Sequence, residues 1–259
     1  MCLILLAHDL HPRYRLVLAA NRDEFHGRPT EPLHRWPGPY GIVAGRDVRA
    51  GGTWLGVTPS GQWAAVTNFR DQFHLRRADA RSRGDLVVDF LAGDAFPSEH
   101  IARIAPSASE YNGFNLLVGD GREVAWMSNR GPEGQAVHSI LEPGVYGLSN
   151  DLLDTPWPKV RRGKERLREI LIGGEPPSTA RLLDLLMDTS LAAEHELPNT
   201  GVSPELERAL SAVFIRTPEY GTRSSSAILI DRDGGIAFAE RGFSPDGEVL
   251  RETRITMPG

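Results

Sequence analysis

The sequence predicts an α+β fold: two mostly antiparallel sheets stacked face to face, with helices on the outside. Three observations carry that prediction. Short apolar strands bounded by turn residues open, interrupt and close the chain. Hairpin signals outnumber β-helix-β crossovers, which favours antiparallel pairing. Helical periodicity is gathered into blocks between the strand runs.

Cys2–His8 and Arg15–Ala20 read as an opening hairpin turned by His11-Pro12-Arg13. Both are apolar almost throughout, as expected of strands covered on both faces. Asn21-Arg22-Asp23-Glu24 follows, then a Pro-rich loop with Pro29, Pro32, Pro37 and Pro39. Strands are expected at 42–44, 53–57 and 62–67, turned by Gly51-Gly52 and Pro59-Ser60-Gly61. A charged loop spans Arg70 to Arg83, and helices follow at 85–91 and 98–104. Strands resume at 114–118, 123–127, 137–140 and 145–148. Periodicity predicts helices over 157–171, 178–187 and 204–214. Thr222–Ile230 and Gly235–Arg241 form a closing hairpin around Asp231-Arg232-Asp233-Gly234-Gly235. No stretch reads as a linker, and Gly173–Pro177 merely separates two helices, so a single domain over 1–259 is expected.

The 259 residues, 40% hydrophobic and 24% charged, have an ordinary globular balance. Net charge is -5, and arginine is scattered rather than clustered, which argues against a nucleic-acid partner. One cysteine excludes an internal disulfide framework and a multi-cysteine zinc site, and fits a reducing cytoplasm. His8 and Asp9 break the first apolar run, which is too short for a signal peptide, and no stretch reaches membrane-spanning length. The eight histidines lack paired-ligand spacing, so no metal site is expected. Neither a phosphate-binding loop nor a dinucleotide glycine pattern is present.

The single cysteine directly follows Met1. Aminopeptidases remove an initiator Met before a small residue, and the chain would then begin with a thiol and an α-amine on one residue. That amine titrates at about 7.7–8.0 and a free thiol near about 8.5, so one can take the other's proton. The plain alternative is a small residue opening a buried strand.

Four polar clusters stand at the ends of apolar strands: Asn21–Glu24, Thr67-Asn68-Phe69, Ser149-Asn150-Asp151 and Thr222-Arg223-Ser224. A strand end on a rigid sheet holds polar side chains in fixed geometry. An asparagine there either donates to a developing oxyanion or caps its own turn. Arg223 either binds substrate or makes a strand-edge ion pair. Trp36, Trp54, Phe69, Phe73 and Tyr111 either line an acyl pocket or belong to the core.

Together with Met1-Cys2 and Gly52-Thr53-Trp54-Leu55-Gly56, these clusters make the chain resemble the transport and Golgi organisation 2 family, named NRDE after Asn21–Glu24. That family in turn resembles the N-terminal nucleophile (Ntn) hydrolases of the cholylglycine hydrolase and penicillin V acylase type. The resemblance implies a four-layer αββα sandwich. It also implies catalytic roles for Cys2, Arg22, Asp23, Asn68, Asn150 and Arg223, with Asn21, Glu24, Trp54 and Phe69 as binding residues. Cys2 would attack a small acyl amide or thioester, with no cofactor required. The alternative implied by the family is a non-catalytic carrier of haem, acyl-CoA or lipid. Arg22 and Asp23 are adjacent, so a regular strand points them to opposite faces. Both reach Cys2 only if the strand ends or bulges there; otherwise Asn21 and Glu24 take those positions.

Overall fold

The computed structural model describes residues 2–70 and 77–259, so Phe73, His74 and part of the expected Arg70–Arg83 loop lie outside the described residues. The chain forms two compact units, each assembled from separated segments. The first comprises Met1–Gly27, Pro143–Ser149 and Leu153–Thr256; the second comprises Arg28–Glu142, Asn150–Leu152 and Met257–Gly259. Neither unit is one continuous stretch, which explains why composition shows no linker.

The first unit is a six-stranded antiparallel sheet. Its strands, in chain order, are β1 (Cys2–His8), β2 (Tyr14–Phe25), β10 (Gly144–Leu148), β11 (Tyr220–Asp231), β12 (Ile236–Phe243) and β13 (Val249–Met257). They lie in the order β10-β1-β2-β11-β12-β13. Every residue of β1 is buried, as its unbroken apolar sequence requires. Helices α3 (Pro158–Ile172), α4 (Thr179–Leu185) and α5 (Pro204–Leu210) belong to the same unit. Leu3, Leu5, Val17 and Ala19 pack with Val160, Leu167, Leu182 and Leu183 in one core, which fixes the helix-facing side of the sheet. Two glycines set how closely α3 lies on it. A Cβ at Gly163 would come 2.6 Å from Leu5 Cδ1, and one at Gly147 would come 2.6 Å from Val160 Cγ1. A methyl at either position pushes helix and sheet apart.

The second unit is a seven-stranded antiparallel meander whose spatial order follows the chain. It runs β3 (Thr30–Arg35), β4 (Val43–Asp47), β5 (Leu55–Val57), β6 (Trp63–Asn68), β7 (Phe114–Gly119), β8 (Val124–Ser128) and β9 (Val137–Ile140). Helices α1 (Arg83–Leu91) and α2 (Pro97–Ile104) lay Leu86, Phe90 and Ile101 against Ala64, Leu116 and Met127. Trp36, Trp54 and Tyr111 join that core, the second of the two readings open in the sequence.

The α+β class, the antiparallel pairing and the helices are as expected. Four elements differ. β2 runs through Asn21–Glu24 instead of ending before them. β3 occupies the Pro-rich segment and β13 extends the closing hairpin into three strands. Helix α5 stops at Leu210, because Ser211 turns back to bond the Arg208 carbonyl through both N–H and hydroxyl.

Candidate active site

Cys2 opens β1 and pairs in register with Arg22 of β2, while Leu3 pairs with Asn21. Directly paired residues share a face. Leu3 belongs to the helix-facing core, so Asn21 lies on that side, and Cys2 and Arg22 lie on the other. Asp23 returns to the helix-facing side. The irregularity at this end of the sheet falls in β11, not β2. Thr222 pairs with Asp23 and Ser224 with Arg22, which leaves Arg223 as the extra residue of a bulge.

That bulge aims the Arg223 guanidinium back along β2, where it donates to the carbonyls of Phe25 (3.0 Å) and His26 (2.8 Å). Burial and the neighbouring Arg22 charge lower the Arg223 pKa, with Glu24 opposing them. Glu24 also accepts from the Phe25 N–H at 2.9 Å. Asp23 is buried. Its Oδ1 accepts from the Thr222 hydroxyl at 2.7 Å, and its carbonyl accepts from the Tyr220 hydroxyl at 2.8 Å. Burial raises the Asp23 pKa, while the Lys159 charge, the Thr222 hydrogen bond and Arg22 pull it down. Cys2 is also buried, and burial raises its thiol pKa. The Asp23 charge adds to that rise; Arg22 and a hydrogen bond from the Asp23 backbone oppose it. The thiol is therefore predominantly protonated and needs a base to become a nucleophile.

Asn21 has a structural task. Its Nδ2 donates to the carbonyls of Leu186 (3.0 Å) and Val213 (2.8 Å), and its Oδ1 accepts from Ser225 at 2.6 Å. These bonds tie β2 to the segments after α4 and α5.

Asn68 and Asn150 belong to the second unit and meet there: Asn150 Nδ2 donates to the Asn68 carbonyl at 2.8 Å, and the Arg70 N–H donates to the Asn150 carbonyl at 2.7 Å. Asn115 completes this strand-end cluster, donating to Thr67 Oγ1 (3.3 Å) and the Asp151 carbonyl (3.0 Å). Phe69 donates its N–H to the Gly113 carbonyl at 2.9 Å, and Trp54 packs into the core beneath α1 and α2.

Sequence reasoning missed Lys159 and Asn115, and it placed Thr222 in a strand-end cluster without giving it a role. Lys159 had a legible signal: it lies on the same helical stripe as Gly163, Leu167 and Ile170, all on the buried side of α3. Among the described residues, no group of three or more His, Cys, Asp or Glu side chains is placed to hold a metal ion. No helix among them is long and apolar enough to cross a membrane.

Residues 1–245 match the Transport and Golgi organisation 2 family. The chain belongs to that family. The Transport and Golgi organization protein 2 homolog of Bos taurus is 38% identical, over 98% of this chain and 97% of its own. The Homo sapiens homolog is 37% identical over 98% and 97%, and the Drosophila melanogaster protein 28% identical over 96% and 95%. The C2A mutant of conjugated bile acid hydrolase from Clostridium perfringens superposes with a TM-score of 0.57 at 9% identity, covering 99% of this chain and 92% of that one. The Caenorhabditis elegans ortholog of N-acylethanolamine-hydrolyzing acid amidase gives 0.52 at 11% identity, covering 88% and 92%. At these identities the likeness shows the fold, which this member of the Transport and Golgi organisation 2 family shares with Ntn hydrolases. Its buried Cys2, Arg22 and Asp23, with half-buried Arg223 beside them, sit at one end of the first unit's sheet.

Proposed function

We propose that the protein is a cysteine-dependent N-terminal nucleophile hydrolase acting on a small acyl amide or thioester. The observation that carries this reading is the pairing of Cys2 with Arg22, one residue from the buried Asp23. The reaction requires a free Cys2 amine, so removal of Met1 is part of the proposal. The amine takes the thiol proton, and sulfur adds to the carbonyl carbon. The leaving amine or thiol departs with a proton, and an acyl thioester remains on Cys2. Water, deprotonated by the same amine, then releases the acid and restores the thiol. Arg22 offsets the negative charge that builds on sulfur. The resemblance assigns the oxyanion to a strand-end asparagine, Asn68 or Asn150, and alanine at each is the direct test. A reducing compartment, which we take to be the cytoplasm, keeps the single thiol reduced.

The test begins with intact mass, to establish that Met1 is absent. A thiol-directed activity probe is then competed with acyl amides and acyl-CoAs, and the competing compound is assayed for turnover. Cys2→Ala is expected to lower turnover by at least about a thousandfold with the melting temperature little changed. Turnover undiminished in Cys2→Ala ends the hydrolase reading. A Cys2→Ala protein that still binds haem, acyl-CoA or lipid, paired with a wild type that binds without hydrolysis, supports the carrier instead.

A further inference from the structure

We propose that the cleft between α3 and α4 binds a free aliphatic α-amino acid. Arg181 takes its carboxylate, Glu169 its ammonium, and Ile170 and Leu185 its side chain. The cleft has a volume of about 260 Å³ and is lined by Arg166, Glu169 and Ile170 of α3 and by Arg181, Asp184 and Leu185 of α4. The two helices present the same chemistry at the same spacing. Each has a cation, an anion three residues on, and a buried aliphatic side chain at the fourth. Residues i, i+3 and i+4 share one helix face, so each helix turns one such row to the cleft.

These charges do not satisfy one another. Arg166 and Glu169 are spaced to pair along α3, as are Arg181 and Asp184 along α4, and neither ion pair is present. Asp184 is instead held by Arg241 of β12 at 2.8 Å, and Arg166 leans toward Asp188 at 3.9 Å. Glu169 has no hydrogen-bond or ion-pair partner among the described residues. Arg181 is fixed from one side only: its Nη1 donates to the carbonyls of Glu175 (2.6 Å) and Pro176 (3.4 Å). Its Nε and Nη2 have no partner among the described residues. Those two nitrogens form the edge of a guanidinium that meets a carboxylate in two parallel bonds. Gly173, at the end of α3, leaves room there, since a Cβ on it would lie 3.5 Å from Nη2.

One open guanidinium edge and one open carboxylate, with an aliphatic wall between two helices, match a ligand that carries both charges and a short apolar body. A simple carboxylate leaves Glu169 unmatched, and a simple amine leaves Arg181 unmatched, so each is disfavoured. A peptide carries its two charged ends more than one residue apart. The cleft is also smaller than the about 300–1,000 Å³ of pockets for drug-sized molecules, which suits a single amino acid. None of the six lining residues belongs to the Cys2 site, so the inference stands apart from the hydrolase reading.

The test is calorimetric titration of the full chain with L-leucine and three analogues. These are 4-methylpentanoate, which lacks the ammonium, 3-methylbutylamine, which lacks the carboxylate, and glycine, which lacks the side chain. L-Leucine is expected to bind, and each analogue to bind at least about tenfold more weakly. Glu169→Gln and Arg181→Met are each expected to weaken L-leucine binding at least about tenfold. Glu169 is exposed and unpaired, so Glu169→Gln should keep the wild-type melting temperature and reports the ammonium contact alone. Arg181→Met also releases the Glu175 and Pro176 carbonyls, so its melting temperature is read beside its affinity; if it does not fold, Glu169→Gln decides. No binding of L-leucine up to about 10 mM overturns the proposal. Equal affinity for L-leucine and 4-methylpentanoate overturns it too, because the cleft would then recognise a carboxylate only. L-Leucine binding that is indifferent to Glu169→Gln overturns it as well, because the amino acid would then sit elsewhere.

Discussion

The two units solve the problem of a polar strand end differently. At the Cys2 end of the first sheet, the buried groups are charged: Arg22, Asp23 and Lys159, with half-buried Arg223 beside them. In the second unit, the side chains of Asn115, Asn129 and Asn150 satisfy the strand ends with neutral amides. An amide network orients groups at any pH. A buried charged network also moves protons, and its arrangement depends on which proton is where. Proton chemistry is therefore assigned to the first unit's strand end, while the second unit's amides can supply only fixed dipoles.

The largest expected effect breaks the amide side of the contrast. Asn129 accepts from the Phe114 N–H at 2.8 Å and donates to the carbonyls of Ala108 (2.9 Å) and Tyr111 (3.3 Å). All of these atoms are buried or partly so. Asn129→Ala orphans them and is expected to cost about 3 kcal/mol of unfolding free energy. Because no charge is involved, denaturant titrations at pH 5 and pH 8 should give the same loss; a loss that varies with pH refutes the neutral-network description.

The next prediction sharpens the contrast through opposite pH signs. Burial raises the Asp23 pKa in the fold. The native state thus holds this proton at pH values where the unfolded chain has released it. Stability from this group is complete below the ordinary carboxylate range and declines as pH rises toward the folded value. In the second unit, burial lowers the pKa of His100, which sits against Phe90 and the Leu86 carbonyl, and Arg103 adds to that effect. Hydrogen bonding to Leu86 and the charge of Asp89 oppose it. Here the unfolded chain binds the proton first, so stability is complete above about pH 6.5 and declines as pH falls below it. Asp23→Asn should flatten the loss on the rising side and His100→Gln the loss on the falling side. Melting temperature against pH for each variant checks both, and the same sign for the two groups sinks the comparison.

Much of this was legible in the residues, for physical reasons that differ by element. β1 was plain because a strand buried on both faces has to be apolar throughout. The turn at Asp231–Gly235 was plain because Asp231 accepts from the N–H groups of Asp233 and Gly235, a purely local pattern. Asn21–Glu24 reads from sequence as a polar cluster where the strand ends, because its partners are remote: Ser225 and Thr222 lie some two hundred residues along the chain. The bulge at Arg223 was hidden for the same reason, since a register shift belongs to a pair of strands and not to either sequence. β13 went unseen because an exposed edge strand has no apolar face to alternate with. Lys159 was passed over because a lysine in a basic helix reads as solvated until its stripe is traced.

The smallest expected effect tests whether the amide cluster behaves as a set of separable bonds. Asn150→Ala removes the donor to the Asn68 carbonyl but leaves the Arg70 N–H bond to the Asn150 backbone carbonyl. The lost bond has a part-buried acceptor, so its removal should cost about 1 kcal/mol. In combination with Asn129→Ala the two losses should add within about 0.5 kcal/mol, because the two amide groups donate to different carbonyls, Asn68 for one and Ala108 and Tyr111 for the other. A coupling well above that would mean that these amides hold one another in place.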